Sequence, residues 1–163
     1  MVKIGDILDN LKKYVRPETN GGFSSEQVIW KNNLKARILN QLKSDMPDIA
    51  ERIGVSDFEG LGYFSCYSDF KVTFDGIALF GIATHEPTTK TAFYNAEYLP
   101  ELHEVMDKQF SGANWKEMSV ETAVQAVSHC RKEKKMIELW KQITQKSSEL
   151  NQLINQLKEL QEN

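Results

Sequence analysis

The sequence predicts an α+β fold: N-terminal helices, a three- to four-stranded antiparallel β-meander, then a short helix and a long C-terminal amphipathic, coiled-coil-like helix. Three observations carry this. Apolar residues recur at helical spacing near both ends of the chain. Ten of the sixteen aromatics fall between Phe58 and Tyr98, where Phe70, Val72 and Phe74 alternate with Lys71, Thr73 and Asp75 in the period of a strand with one buried face. Asp75-Gly76 then marks a type I′ hairpin, whose two central residues both need positive φ.

The elements follow in order. Ile4, Ile7, Leu8, Leu11 and Val15 predict a helix over 4–15, stopped near Arg16 because Pro17 disfavours helical geometry at the residue before it. Glu18 to Gly22 reads as a loop, punctuated by Asn20-Gly21-Gly22. Ser24 with Gln27 fits a capping box, and Trp30, Leu34, Ile38 and Leu42 continue the second helix at i, i+4 spacing. Asp45 and Pro47 open a short third helix, with Gly54 expected as its left-handed C-terminal cap.

Tyr63 to Tyr67 predicts a strand turning at Ser68-Asp69 into the strand 70–74. Ile77 to Ala83 carries apolar residues on both faces and so reads as an interior strand. Thr84 to Thr88 is expected as an exposed loop, and Thr89 to Asn95 as a fourth strand. Pro100 suits the first position of a helix running to about Phe110, buried along Leu99, Leu102, Val105 and Met106 and ended by Ser111-Gly112. Ser119 caps the last helix, with Glu121 near its positive end. The expected division is a head domain at 1–118 and the long helix at 119–163, of which 119–135 packs on the head and 136–160 associates.

From Met136 the apolar positions step to Trp140, Ile143, Ser147, Leu150, Ile154 and Leu157, the alternation of four and three that defines a coiled-coil seam. Only Ser147 breaks it. Leu139, Leu153 and Leu160 widen the stripe, which favours a bundle or higher oligomer over a two-stranded coil. A helix over 119–160 spans ~63 Å at 1.5 Å per residue, whereas the remaining chain packs into a body ~35 Å across. The distal leucines therefore need a partner, which is a second copy, a different protein's helix, or the chain's own helices if the last helix kinks near 128–135.

Composition narrows the class. With 163 residues, 40% hydrophobic and 26% charged, the chain has the make-up of one ordinary globular domain plus an appended helix. No apolar run approaches the ~20 residues that span a bilayer, and the first residues lack a signal peptide's apolar core, so the expectation is a cytoplasmic protein without a membrane partner. Cys66 and Cys130 have no CxxC spacing and read as reduced thiols. The net charge of −3 divides into +3 over 1–45, −7 over 46–111 and +1 over 112–163. An acidic middle is a poor match for phosphate backbones.

No motif stands out enough to carry a known family's residues across, and no cofactor is implied. His85, His103 and His129 lack the i, i+4 spacing of helical metal ligands. A composite site of His85, His103 and Cys66 is conceivable, but nothing in the sequence requires it. Asp69, Asp75, Glu97, Glu101 and Glu104 are carboxylates near turns and a helix start, where they ordinarily complement the helix dipole. Ser65 and Ser68 have no nucleophile elbow, and Gly60-Leu61-Gly62 precedes a strand rather than the helix a phosphate loop requires. The aromatics lack the interleaved cations of a base-stacking platform, with only Lys71 and Lys90 among them.

The expected function is therefore a non-enzymatic protein–protein interaction module. It self-associates through Met136, Trp140, Ile143, Leu150, Ile154 and Leu157 and presents an acidic head to a protein partner, as a small regulator or inhibitor of the kind mobile elements encode. Two alternatives stay open. One is an oligomeric nucleic-acid-associated protein using Lys31, Lys35, Arg37 and Lys43 with Arg131, Lys132, Lys134 and Lys135. The other is a small enzyme with a site near His85, Asp69 and Glu97.

Overall fold

A computed structural model describes residues 1–15, 25–57, 68–85 and 93–163, with the side chains of 25–32, 68–69, 83–85 and 93–94 left aside. These residues divide into two units, Met1–Val127 and Ser128–Asn163. The fold is α+β, as its patterning predicts.

In the first unit, α1 (Ile4–Tyr14) buries Ile4, Ile7, Leu8 and Leu11 on one face. The α2 helix (Ser25–Asp45) buries Leu34, Ile38 and Leu42 completely. Pro47 opens a two-turn 3-10 segment, Pro47–Arg52. Four strands follow, β1 (Ile53–Asp57), β2 (Ser68–Phe74), β3 (Ile77–His85) and β4 (Phe93–Tyr98). They form an antiparallel meander in the order β1-β2-β3-β4. The chain then forms α3 (Pro100–Gln109), a short 3-10 turn at Trp115–Glu117, and α4 (Val120–Glu162).

Asp75 and Gly76 have φ of 52° and 78°, the two positive angles the β2–β3 hairpin was expected to need. Across the sheet Val72 opposes Phe80 and Ile82 opposes Ala96, and all four are fully buried. Phe80 stacks edge-on with Phe74 at 6.2 Å and lies against Tyr98 at 5.7 Å between ring centroids. Leu79 is buried as well, so β3 is covered on both faces, as an interior strand must be. The α1 helix packs on β4 and the Trp115 turn, and α2 on β1 and α1. Backbone bonds from Ile4 N–H to Met118 O and from Val120 N–H to Val2 O, both 3.0 Å, tie the first residues to the start of α4.

Several expectations are corrected. Gly54 is not a left-handed cap. It lies within β1, opposite Thr73, and only Gly76 and Gly112 have positive φ among the described glycines. A Cβ at Gly54 would fall 2.6 Å from Thr73 Oγ1, so glycine here permits close approach of two strands rather than a turn. Ser68 and Asp69 belong to β2, with Ser68 paired to Ala83, rather than to a turn. Thr84 and His85 extend β3, paired with Tyr94 and Phe93, and β4 runs past the expected end at Asn95 to Tyr98, while Thr89 to Ala92 of the expected strand lie outside the described residues. The expected strand at Tyr63–Tyr67, the loop Glu18–Gly22, and Ser24 of the capping box lie outside the described residues.

Ser119 caps α4 as expected, its Oγ accepting the Thr122 N–H at 3.2 Å. Val120, Ala123, Val124, Ala126 and Val127 are buried. Residues 128–135 are helical throughout, and every residue from 131 to 163 is exposed. Among the described residues, no helix is long and apolar enough to cross a membrane.

Candidate functional site

A long apolar surface lies on the second unit. Met136, Ile137, Leu139, Trp140, Ile143, Leu150, Leu153, Ile154, Leu157 and Leu160 are each 40–77% exposed. On a helix of 3.6 residues per turn, Met136, Ile143, Leu150 and Leu157 make a central column. Leu139, Leu153 and Leu160 flank it on one side, Trp140 and Ile154 on the other, giving an apolar stripe of roughly 100°. The two flanks are interrupted at neighbouring residues, Lys146 and Ser147.

Several polar residues of α4 pair locally. Gln145 Nε2 donates to Glu149 at 3.1 Å, Gln142 Nε2 to Glu138 at 3.4 Å, and His129 meets Glu133 at 3.3 Å. Ile137, Trp140, Lys141, Thr144 and Gln145 line a shallow apolar depression of about 500 Å³. These i, i+4 pairs support the helix but leave the stripe uncovered.

A second cluster lies in the first unit, where β4, α3 and the Trp115 turn converge. Asp107 accepts the Trp115 indole N–H at 2.7 Å and lies 3.2 Å from His103 Nδ1. The indole N–H, then His103, hold the Asp107 carboxyl below its ordinary range. Tyr98, His103 and Trp115 meet edge to face at centroid distances of 5.0–5.9 Å. Burial, then the charge of Asp9, pushes the Tyr98 phenol up to about 12. A half-open cleft of about 280 Å³ adjoins this cluster, lined among others by Lys12, Glu97, Tyr98, His103 and Lys116.

The side chains of His85 and Asp69, and Cys66 altogether, lie outside the described residues. Glu97 accepts from Asn95 at 2.7 Å. Asp75 is bound by Arg52 at 2.6–3.0 Å, and Arg52 also reaches Glu121 at 3.3 Å. Among the described residues, no group of three His, Cys, Asp or Glu could hold a metal ion. Cys130 is a half-buried free thiol.

Of the basic residues, Lys35 reaches Asp57 at 3.3 Å, Arg37 and Lys43 are half-buried, and the Lys31 side chain is outside the described set. Arg131, Lys132, Lys134 and Lys135 are exposed on α4. The Tyr98–Asp107–Trp115 grouping carries no advance signal in the sequence, because none of the three stands at a spacing that marks a site.

Comparison with protein-family models, with characterised proteins and with solved structures returned no match.

Proposed function

We propose that this chain is a cytoplasmic, non-enzymatic protein–protein interaction module. It self-associates through residues 136–160 and offers its acidic α+β unit to a protein partner, in the manner of a small regulator or inhibitor. The observation that supports it is the row of ten large apolar side chains left in water on a well-formed helix. Contiguous apolar exposure of this kind marks an interaction surface rather than the scattered apolar residues of an ordinary protein exterior. The central column has an apolar seam on each side, so each helix meets two neighbours and the assembly holds more than two copies. Covering such residues contributes about 1 kcal/mol each, since roughly half of each is already shielded by its own helix.

Light scattering tests the reading on the full chain, on a chain ending at Lys135, and on Leu150→Glu/Leu157→Glu. The full chain should have a multiple of the 18.7 kDa chain mass, and both altered chains a single copy. A monomeric full chain overturns the proposal.

Four exposed cations within residues 131–135 support a second reading, association with nucleic acid. Gel shifts at low and moderate salt decide it. A mobility shift that does not weaken with salt is incompatible with phosphate contacts.

A further inference from the structure

The half-open cleft of the first unit brings together an apolar wall and two lysines from different elements. Leu8 and Lys12 stand four residues apart, on one face of α1. Ala96 and Tyr98 stand two apart, on one face of β4. Lys116 comes from the Trp115 turn, its Nζ 5.9 Å from the centroid of the Tyr98 ring. Leu8 and Ala96 are buried and Tyr98 is half-buried, so the wall is apolar and partly shielded from water.

The charges around the cleft are unequally placed. Neither Lys12 nor Lys116 forms an ion pair among the described residues. Glu97 adjoins the cleft, but strand alternation puts its side chain on the other face of β4 from Ala96 and Tyr98. There it accepts from Asn95, two residues away on that same face. Asp107 is engaged by the Trp115 indole and by His103 Nδ1. Asp9 acts on the Tyr98 phenol through its charge but does not line the cleft, and it lowers the affinity for any anion. The groups left to meet a ligand are donors: two ammonium groups, and a Tyr98 hydroxyl that bonds no other described residue.

Donors beside an apolar wall suit a ligand with a negative end and an apolar body. A volume of about 280 Å³ limits that body to roughly one ring. The edge-to-face pairing of Tyr98 with His103, both of which line the cleft, offers a ring an aromatic contact. We propose that this cleft binds a small aromatic monocarboxylate, with its carboxylate on Lys12 and Lys116 and its ring against Leu8, Ala96 and Tyr98. The proposal goes beyond the self-association above and does not depend on it.

Equilibrium dialysis of the full chain against benzoate tests it, with benzamide and inorganic phosphate as separate probes. Benzoate should bind saturably. Benzamide has the ring without the charge, phosphate has the charge without the ring, and each should bind several-fold more weakly. No saturable uptake of benzoate overturns the proposal. Equal binding of benzamide overturns the role of the lysines, and equal binding of phosphate that of the apolar wall.

Variants place the site. Lys12→Gln and Lys116→Gln should each weaken benzoate binding about three-fold, and Tyr98→Phe, which keeps the ring, about five-fold. Lys108→Gln removes an exposed cation that does not line the cleft and should change nothing. Lys12 and Lys116 are exposed as well, so these variants should keep the fold, which circular dichroism checks. Benzoate binding that survives all three cleft variants, or falls equally with Lys108→Gln, overturns the assignment to this cleft.

Discussion

The α1 helix and the distal part of α4 carry the same kind of signal and meet opposite fates. Both place Ile, Leu and other large apolar residues along one face. In α1 the stripe is buried against β4 and the Trp115 turn. Between Met136 and Leu160 every large apolar residue is exposed. Periodicity therefore specifies that a face is to be covered, but not by what. Within Met1–Val127 the cover is the sheet; for Ser128–Asn163 we propose that it is another copy of the chain.

The comparison breaks if the two units do not respond independently. Phe80→Ala should show the largest effect, destabilising the first unit by about 3–5 kcal/mol in urea unfolding, as expected for deleting a fully buried aromatic ring. It should leave the association mass unchanged. Leu150→Glu should do the reverse, lowering the mass in light scattering while the unfolding midpoint of the first unit stays in place. A shared loss in either variant would show that the two surfaces are energetically one.

Within the first unit, Gly54→Ala should cost about 1–3 kcal/mol through overpacking against Thr73, measured by chemical denaturation. Thr73→Ala in the same chain should recover part of that loss, because it removes the atom 2.6 Å from the new Cβ. Ser119→Ala removes the cap of α4 and should cost about 1 kcal/mol by the same measurement.

The smallest effects are those of pH. Tyr14 hydrogen-bonds Asp45, and its phenol is pushed up to about 12, chiefly by burial and then by that bond. A folded value above the unfolded value of 10.0 means that its contribution is whole below pH 10.0 and is lost as the pH rises towards 12. Tyr14→Phe should flatten the alkaline limb of stability against pH. Asp75 is held below 3.8 by Arg52, so its contribution is present above that value and is lost as the pH falls below it. Its side chain is 42% exposed and therefore well screened, so Asp75→Asn should soften the acid limb only slightly in pH-dependent unfolding.

Much of the fold was legible from local patterns. The stripes of α1, α2 and α3, the interior character of β3, and the Ser119 cap each depend on residues a few positions apart. The β1 strand was not legible, because Ile53-Gly54-Val55-Ser56-Asp57 is short and its glycine resembles a helix stop. The expected end of the fourth strand at Asn95 fell short, because residues on either side of it have similar β propensity and only pairing with β3 carries β4 on to Tyr98.

Chain chemistry alone was enough to specify an α+β order of elements, a type I′ turn at Asp75-Gly76 and a long C-terminal helix with an apolar seam. Backbone preference and side-chain period act over single turns and need no distant neighbour. Tertiary structure decided which glycine admits a close strand and which carboxylate Arg52 holds. It also decided that Asp107 meets Trp115 and His103, and that Met136 to Leu160 remain in water within one chain. Those outcomes depend on contacts between residues remote in sequence, or on their absence, and no local pattern encodes either.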